Sequence, residues 1–263
     1  MTPLVNVAVQ AARAGGDAII RSMNRLHNLT VQSKGRNDYV TEVDKFVEAR
    51  IIEVIKKSYP HHNFLGEESG TTTGQDGEVE WIIDPIDGTT NFIHGFPAFA
   101  VSIAARHHGK MEAGVIYDPL RQELFTASRG NGATLDDRKI RVTAPQGLEG
   151  TLIGTGFPYR GDPVELDNYL GMLRDVSLKV AGIRRAGSAA LDMAYVAAGR
   201  FDGFWERGLK IWDIAAGELI VREAGGLVSD LDGQETHLTT GNVAAGSARV
   251  LRDLLKTLAP HRK

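Results

Sequence analysis

A chain of 263 residues with 42% hydrophobic and 24% charged residues has enough apolar surface for a large packed core and too balanced a composition for disorder. It contains no cysteine, which excludes disulfides, thiolate-bound zinc, iron–sulfur clusters and a cysteine nucleophile, so any metal must bind through oxygen or imidazole. A net charge of −3 gives no general attraction for nucleic acid, and no apolar run approaches the ~20 residues of a membrane span.

Apolar residues at Leu4, Val7, Ala8, Ala11, Ala18 and Ile19 recur at helical spacing and predict an amphipathic helix from Pro3 to about His27. This N-terminal stretch lacks the basic start, continuous apolar segment and small-residue cleavage site of a secretory signal, so cytoplasmic residence is the expectation. Beyond VQSKGRNDYV, Thr41 can cap a second helix, with Glu42 and Asp44 in its first turn at the positive end of the dipole. Val43, Val47, Ile51 and Val54 mark its buried face, and Pro60 closes it. HNFLGEESG reads as a short strand ending in an acidic loop, and TTTGQDGEVE as a polar, mobile connection. VEWIID, a compact apolar run between turn residues, predicts a buried strand. Two apolar runs around HHGK predict a β-hairpin, and ELFTASRGNGATLDDRKIRVT continues the antiparallel pattern with turns at RGNGA and LDDRK.

From about Thr151 strands alternate with helices. TLIGTGF, KVAGIRR, FDGFWER and LVSDLDG read as strands, while helices are predicted near Val164–Val176, in SAALDMAYVAAG, from about Trp212, and over Ala248–Leu258. The fold class is α+β, with layered sheets covered by helices. No linker or internal repeat separates the halves, so two lobes packed together are expected. Residues 1–150 would carry a mainly antiparallel sheet and most of the acidic candidates, and residues 151–263 would complete the site.

The densest concentration of chemistry is WIIDPIDGTTNFIHGFP. Asp84 falls at the end of the buried strand, Pro85 fixes the backbone angle, and Asp87 follows at a spacing that can turn both carboxylates toward one point. Gly88 permits close backbone approach, and Thr89, Thr90 and Asn91 can open a short helix whose free N–H groups suit a phosphate. Glu67 and Glu68 in GEESG are either a solvated loop or a second acidic point, and Asp213 in WDIAAG is either a helix cap or a third. Together these hard oxygens suit Mg²⁺ or Mn²⁺ far better than zinc or copper. Divalent ions beside a phosphate activate water and neutralise charge on the leaving oxygen, so the constellation points to a phosphomonoesterase without a covalent intermediate.

At GEES, at WIIDPIDGTTNFIHGFP and at GSAALDMAYVAAGRFDGFWERGLKIWDIAAGELIVREAGG the chain closely resembles the inositol monophosphatase family, within the lithium-sensitive, magnesium-dependent phosphatases, and most of all its bacterial SuhB-type branch. The resemblance runs over nearly the whole chain and implies a layered αβαβα sandwich. It also implies two or three Mg²⁺ ions: Glu67, Asp84 and the Ile86 carbonyl for a first, Asp84, Asp87 and Asp213 for a second, and Glu67 with water for a weaker third. Thr89 and Asp44 would polarise the attacking water, with Glu68 supporting the acidic shell, and the Gly88 and Thr89 amides would receive the phosphate. Asp87, Gly187, Ser188, Ala189, Glu206 and Asp213 would meet an inositol ring. His94 reads as structural, Trp81, Trp205 and Trp212 as site walls or core, and Arg184 and Arg185 as partners for an acidic surface or a second subunit.

The resemblance implies an inositol-1-monophosphatase acting on polyol and sugar phosphates. Relatives with the same chemistry take fructose 1,6-bisphosphate, 3′-phosphoadenosine 5′-phosphate or histidinol phosphate. It also implies a homodimer, and the SuhB-type branch brings a function of another class: protein contacts with RNA polymerase and Nus factors in transcription antitermination. The acidic charge balance favours protein contacts over autonomous nucleic-acid binding.

Overall fold

The computed structural model describes residues 2–24, 31–35, 38–75, 77–158 and 163–262. Helix α1 spans Pro3–Met23, with Val5, Ala8, Ala11, Ala12, Ala18 and Ile19 on its buried face. The end expected for it, at residues 25–27, lies outside the described residues. A two-stranded ribbon of β1 (Val31–Gly35) and β2 (Asp38–Thr41) follows where the sequence suggested no element. Helix α2 (Glu42–Ser58) begins at Thr41 as expected.

The first large sheet is built from β3 (Asn63–Gly66), β4 (Gly70–Thr72), β5 (Val79–Asp87), β6 (Ala100–His107), β7 (Lys110–Asp118), β8 (Glu123–Ser128), β9 (Gly132–Leu135) and β10 (Arg138–Lys139). Their spatial order is β10-β9-β8-β7-β6-β5-β3-β4, antiparallel throughout except that β3 runs parallel to β5. The stretch expected to be a mobile connection is instead tied down. Gly70–Thr72 pairs with β3, and the Asn63 amide both accepts from Gly74 N at 2.7 Å and donates to Gly77 O at 3.1 Å.

The second sheet takes β11 (Leu152–Thr155), β12 (Gly182–Arg184), β13 (Gly203–Glu206), β14 (Leu227–Ser229) and β15 (Val243–Gly246) in the order β12-β11-β13-β15-β14. The first three strands are mutually parallel, and β15 runs antiparallel to both its neighbours. Strand β15 was not legible in the sequence, because VAAG has neither β-branched density nor alternation.

Between the sheets lie α5 (Ala189–Ala197) and α6 (Ile211–Glu223). Both are apolar on most of their circumference, as helices covered on two sides must be. One apolar cluster joins Ile82, Ala104, Ile116 and Phe125 of the first sheet to Met193, Ala216, Ile220, Phe204 and Ala245. On the outer faces α1 and α2 cover the first sheet, and α4 (Pro163–Ser177) and α8 (Ala248–Leu258) cover the second. The sequence of layers is helix, sheet, helix, sheet, helix, the expected αβαβα sandwich. The chain passes from one sheet to the other between Lys139 and Leu152, while the core cluster draws on both sides of that passage.

Helix α6 approaches the first sheet closely enough that only glycine fits opposite it on β7. A Cβ at Gly114 would lie 2.8 Å from the Ala216 carbonyl oxygen, a backbone atom that cannot rotate away. Gly114→Val is expected to destabilise the chain by about 1–3 kcal/mol, the usual range for overpacking, as read from the midpoint of chemical unfolding.

Candidate active site

In a regular strand side chains alternate between faces, so residues three apart point to opposite sides of the sheet. Asp84 and Asp87 escape this rule through a bulge. Asp84 pairs with Ser102 and Asp87 with Ala100, so Pro85 and Ile86 together oppose the single residue Val101. The extra residue shifts the phase by one and returns both carboxylates to one side. Proline suits the bulge because it has no N–H to give to the ladder. The expected strand therefore does not stop at Asp84 but continues through Asp87.

Asp213 reaches the same point from the start of α6. Ser102, the β6 residue paired with Asp84, donates its hydroxyl to the Trp212 carbonyl at 3.2 Å, fixing the first turn of α6 against the strand that faces Asp84. Asp213 is not the N-cap expected for it: the N-cap is Lys210, and Asp213, the third residue of the helix, accepts from Lys210 N at 2.7 Å. Asp84, Asp87 and Asp213 each present a carboxylate oxygen within 4.8 Å of the others. Ile86 N donates to Asp84 Oδ1 at 2.9 Å. Asp87 Oδ2 accepts from the Ser188 hydroxyl at 2.6 Å and Ala190 N at 2.7 Å, which binds β5 to the start of α5.

Burial pushes the Asp84 carboxyl well above its ordinary range, and the charges of Glu67, Asp87, Asp213 and Asp44 push it further. Burial raises Asp87 to about 6 against the opposing hydrogen bonds from Ser188 and the α5 amides. Burial and the charge of Asp87 raise Asp213 to about 8. Like charges this close in a desolvated cleft are unfavourable without a compensating cation. An all-oxygen donor set of this kind fits a hard divalent metal ion.

Asp44 serves two masters with its two oxygens. Oδ2 closes a capping box, accepting from Thr41 N at 2.8 Å and from the Thr41 hydroxyl at 2.6 Å. Oδ1 accepts from the Thr89 hydroxyl at 3.0 Å. The same hydroxyl lies 3.1 Å from the Ile86 carbonyl, so its one proton is shared between two acceptors. Thr89 opens the short helix α3 (Thr89–Ile93), and Gly88 before it has φ of 102°. A Cβ at Gly88 would lie 2.8 Å from the Ala98 carbonyl, so position 88 admits only glycine on both counts. Asn91 of α3 donates to the carbonyls of Ala98 at 2.6 Å and Ala186 at 2.8 Å, locking this segment to the Gly187–Ser188 turn.

Glu67 follows β3, its N–H donating to Ile83 O at 3.1 Å, and its charge acts on both Asp84 and Asp213. The residue that shapes this acidic loop is one the sequence reading missed. Glu48 is 2% exposed and accepts from Glu68 N at 2.9 Å and Ser69 N at 2.8 Å. The available signal was its position four residues after Asp44, which puts both acids on one face of α2. Glu206 is also buried, near Asp192, Asp213 and Asp87, and burial first and those charges second hold its carboxyl well above the usual range, with Arg185 opposing. Gly187, Ser188 and Ala189 line the turn into α5 beside Asp87.

The sequence reading left Trp81, Trp205 and Trp212 between wall and core. Trp81 and Trp205 are fully buried in the core, and Trp212 is half-buried at the site. His94 is exposed, and Arg185 lies with its guanidinium 5.3 Å from the centre of the Phe157 ring.

A layered αβαβα fold with a bulged strand, three converging carboxylates and a glycine-threonine helix start defines a class, and the chain belongs to it: it matches the inositol monophosphatase family over residues 1–263. It is 52% identical over 264 residues to the Nus factor SuhB of Pseudomonas aeruginosa, covering 99% of this chain and 97% of that protein. The crystal structure of the extragenic suppressor protein suhB from Bartonella henselae superposes with a TM-score of 0.95 at 48% identity, covering 98% of each chain. An inositol monophosphatase from Thermotoga maritima superposes at 0.90 with 33% identity over 99% of this chain and 98% of its own.

Two outcomes follow from this geometry. A carboxyl group whose pKa is higher folded than unfolded keeps its proton longer in the folded state, so it stabilises at low pH and loses that contribution as pH rises. With unfolded values near 3.8 and folded values of about 6 for Asp87 and about 8 for Asp213, the window runs from about pH 4 to pH 8. In chelator-treated protein, melting temperature is expected to fall across that window less steeply for Asp213→Asn than for the unaltered chain, with the added effect of a divalent salt growing toward the alkaline end. Glu48→Ala is expected to weaken divalent-cation binding ~10–100-fold by calorimetry, as loss of a ligand-orienting group does, while circular dichroism stays unchanged.

Proposed function

We propose that this chain is a Mg²⁺-dependent phosphomonoesterase that hydrolyses myo-inositol monophosphate and related polyol or sugar phosphates in the cytoplasm. The observation that carries this reading is the Asp84, Asp87 and Asp213 cluster standing beside the Thr89 hydroxyl and the Gly88–Thr89 helix start. Asp84, Asp87 and Asp213 would hold one ion, Glu67, Asp84 and the Ile86 carbonyl a second, and Glu67 with water a weaker third. Bound there, the ions lower the pKa of water and neutralise charge on the transferring phosphoryl group and the leaving oxygen.

The chain's own groups supply the rest. With the Ile86 carbonyl engaged elsewhere, the Thr89 proton goes wholly to Asp44 Oδ1, and the free lone pairs of Thr89 Oγ1 orient and accept a proton from the attacking water. Thr41 holds Asp44 from behind, so the acceptor does not swing away. Glu68, whose backbone is fixed by Glu48, supports the acidic loop. The Gly88 and Thr89 amides face the phosphate, where exposed N–H groups at a helix start favour an anion. Asp87, Asp213, Gly187, Ser188, Ala189 and Glu206 surround the place where the alcohol half of the ester would lie. A Glu206 carboxyl that keeps its proton can donate to a ring hydroxyl oxygen, and one that loses it can accept from the hydroxyl.

A second reading has its own support in the 52% identity to a protein named as a Nus factor. In it the chain, as a homodimer, also contacts RNA polymerase or Nus proteins, with phosphate hydrolysis a separate activity. The two readings part at Asp84→Asn. Phosphate release from myo-inositol monophosphate, titrated with magnesium chloride, is expected to fall by a factor of about 10³ or more, the scale of losing central charge stabilisation. Retention of a pulled-down RNA polymerase by the same folded variant would place the transcription contact elsewhere. A panel including fructose 1,6-bisphosphate, 3′-phosphoadenosine 5′-phosphate and histidinol phosphate tests the substrate, and faster turnover of any of these would replace inositol in the assignment.

A further inference from the structure

At the opposite end of β5 from the acidic cluster, a carboxylate and two imidazoles meet. Glu78 precedes the first residue of β5 and lies six residue steps of extended chain, ~20 Å at about 3.3 Å each, from Asp84. Because Val79 pairs with His107, Glu78 comes beside the β6–β7 hairpin turn. Glu78, His107 and His108 each offer one ligand atom, and these atoms lie within 4.8 Å of one another. His107 Nε2 stands 3.7 Å from Glu78 Oε2, and the two imidazole rings lie with centroids 4.1 Å apart.

The backbone around them is fixed. His108 and Gly109 are the two turn residues, with φ of 46° and 77°, the left-handed pair that a two-residue hairpin of type I′ requires. Asparagine, aspartate or glycine usually takes the first of those positions, because most other side chains are strained at positive φ. Here a histidine accepts the strain, and the turn sets its ring against that of His107. The segment that delivers Glu78 is held from the other side by Asn63, which bonds Gly74 N and Gly77 O. Two imidazoles and a carboxylate are therefore presented from two anchored loops, all at the surface and none within the carboxylate cluster.

We propose that Glu78, His107 and His108 form a second metal site, selective for a borderline transition-metal ion such as Zn²⁺. Two nitrogens and one oxygen match the ligand preferences of zinc, with a fourth tetrahedral position left to water. Magnesium, which demands oxygen ligands and keeps its own waters, is a poor occupant. The chain thus carries two metal chemistries at the two ends of one strand, oxygen-only at one end and nitrogen-rich at the other. A bound ion here fastens Glu78, at the start of β5, to the hairpin tip.

The test is calorimetric titration of the full chain with zinc chloride in the presence of millimolar magnesium chloride. One equivalent of zinc is expected to bind, to raise the melting temperature, and to bind equally well to Asp84→Asn. His107→Ala and His108→Asn are each expected to weaken it about tenfold or more, at least the loss seen when a ligand's supporting group is removed. Asparagine suits the left-handed turn better than histidine does, so a folding defect cannot account for a loss in His108→Asn. Absence of zinc binding in the unaltered chain, full retention in His108→Asn, or loss in Asp84→Asn would each overturn the proposal. The Asp84→Asn arm keeps this outcome independent of the phosphatase reading.

Discussion

Three carboxylates drawn from β5 and α6 stand with their oxygens within 4.8 Å in a largely desolvated cleft, and the rest of the architecture serves to keep them there. Left to themselves such groups separate or take up protons. They stay together because each is held by bonds that do not depend on its neighbours: Asp84 by Ile86 N, Asp87 by Ser188 and Ala190, Asp213 by Lys210 N. The repulsion thus built into the fold is the same quantity that makes the cleft a receptor for divalent cations.

Holding them requires the two sheets to act as one body. Helices α5 and α6 fill the layer between the sheets, and their N-termini, carrying Ser188 and Asp213, both point into the cleft above the β5 bulge. Ser102 bridges β6 to α6 and Asn91 bridges α3 to the 186–187 turn, so polar ties at the rim repeat what apolar contact does below. On the outer side α2 supports the same cleft through Asp44 and Glu48, one turn apart. A buried acid at each position is made more tolerable because each has at least one oxygen accepting from a backbone N–H or a hydroxyl.

The family to which the chain belongs was legible in three stretches of sequence, and so were most elements. Long periodic segments such as Ala248–Leu258 and Val43–Val54 declared themselves by spacing, although Ile55 rather than Val54 ends the buried face of the second, and Thr41 declared itself by its capping chemistry. The ribbon Val31–Thr41, the edge strand Gly70–Thr72 and the strand Val243–Gly246 did not, since they are short, polar or small-residue segments that become strands only by pairing. Glu48 escaped for a related reason. An acid in a helix looks solvated until a distant loop is seen to donate to it.

By itself the sequence determined the donor chemistry: with no cysteine and a run of Asp, Glu, Gly and Thr around one proline, only hard-oxygen sites and an amide cradle were available at Asp84–Thr89. What the tertiary structure alone decided was convergence. Asp84 and Asp87 sit at a spacing that a straight strand would send to opposite faces, and Asp213 lies 126 residues beyond Asp87 (213 − 87). A bulge against β6 and the packing of α6 between two sheets bring them to one point. Both are consequences of long-range pairing and burial, which no local pattern encodes.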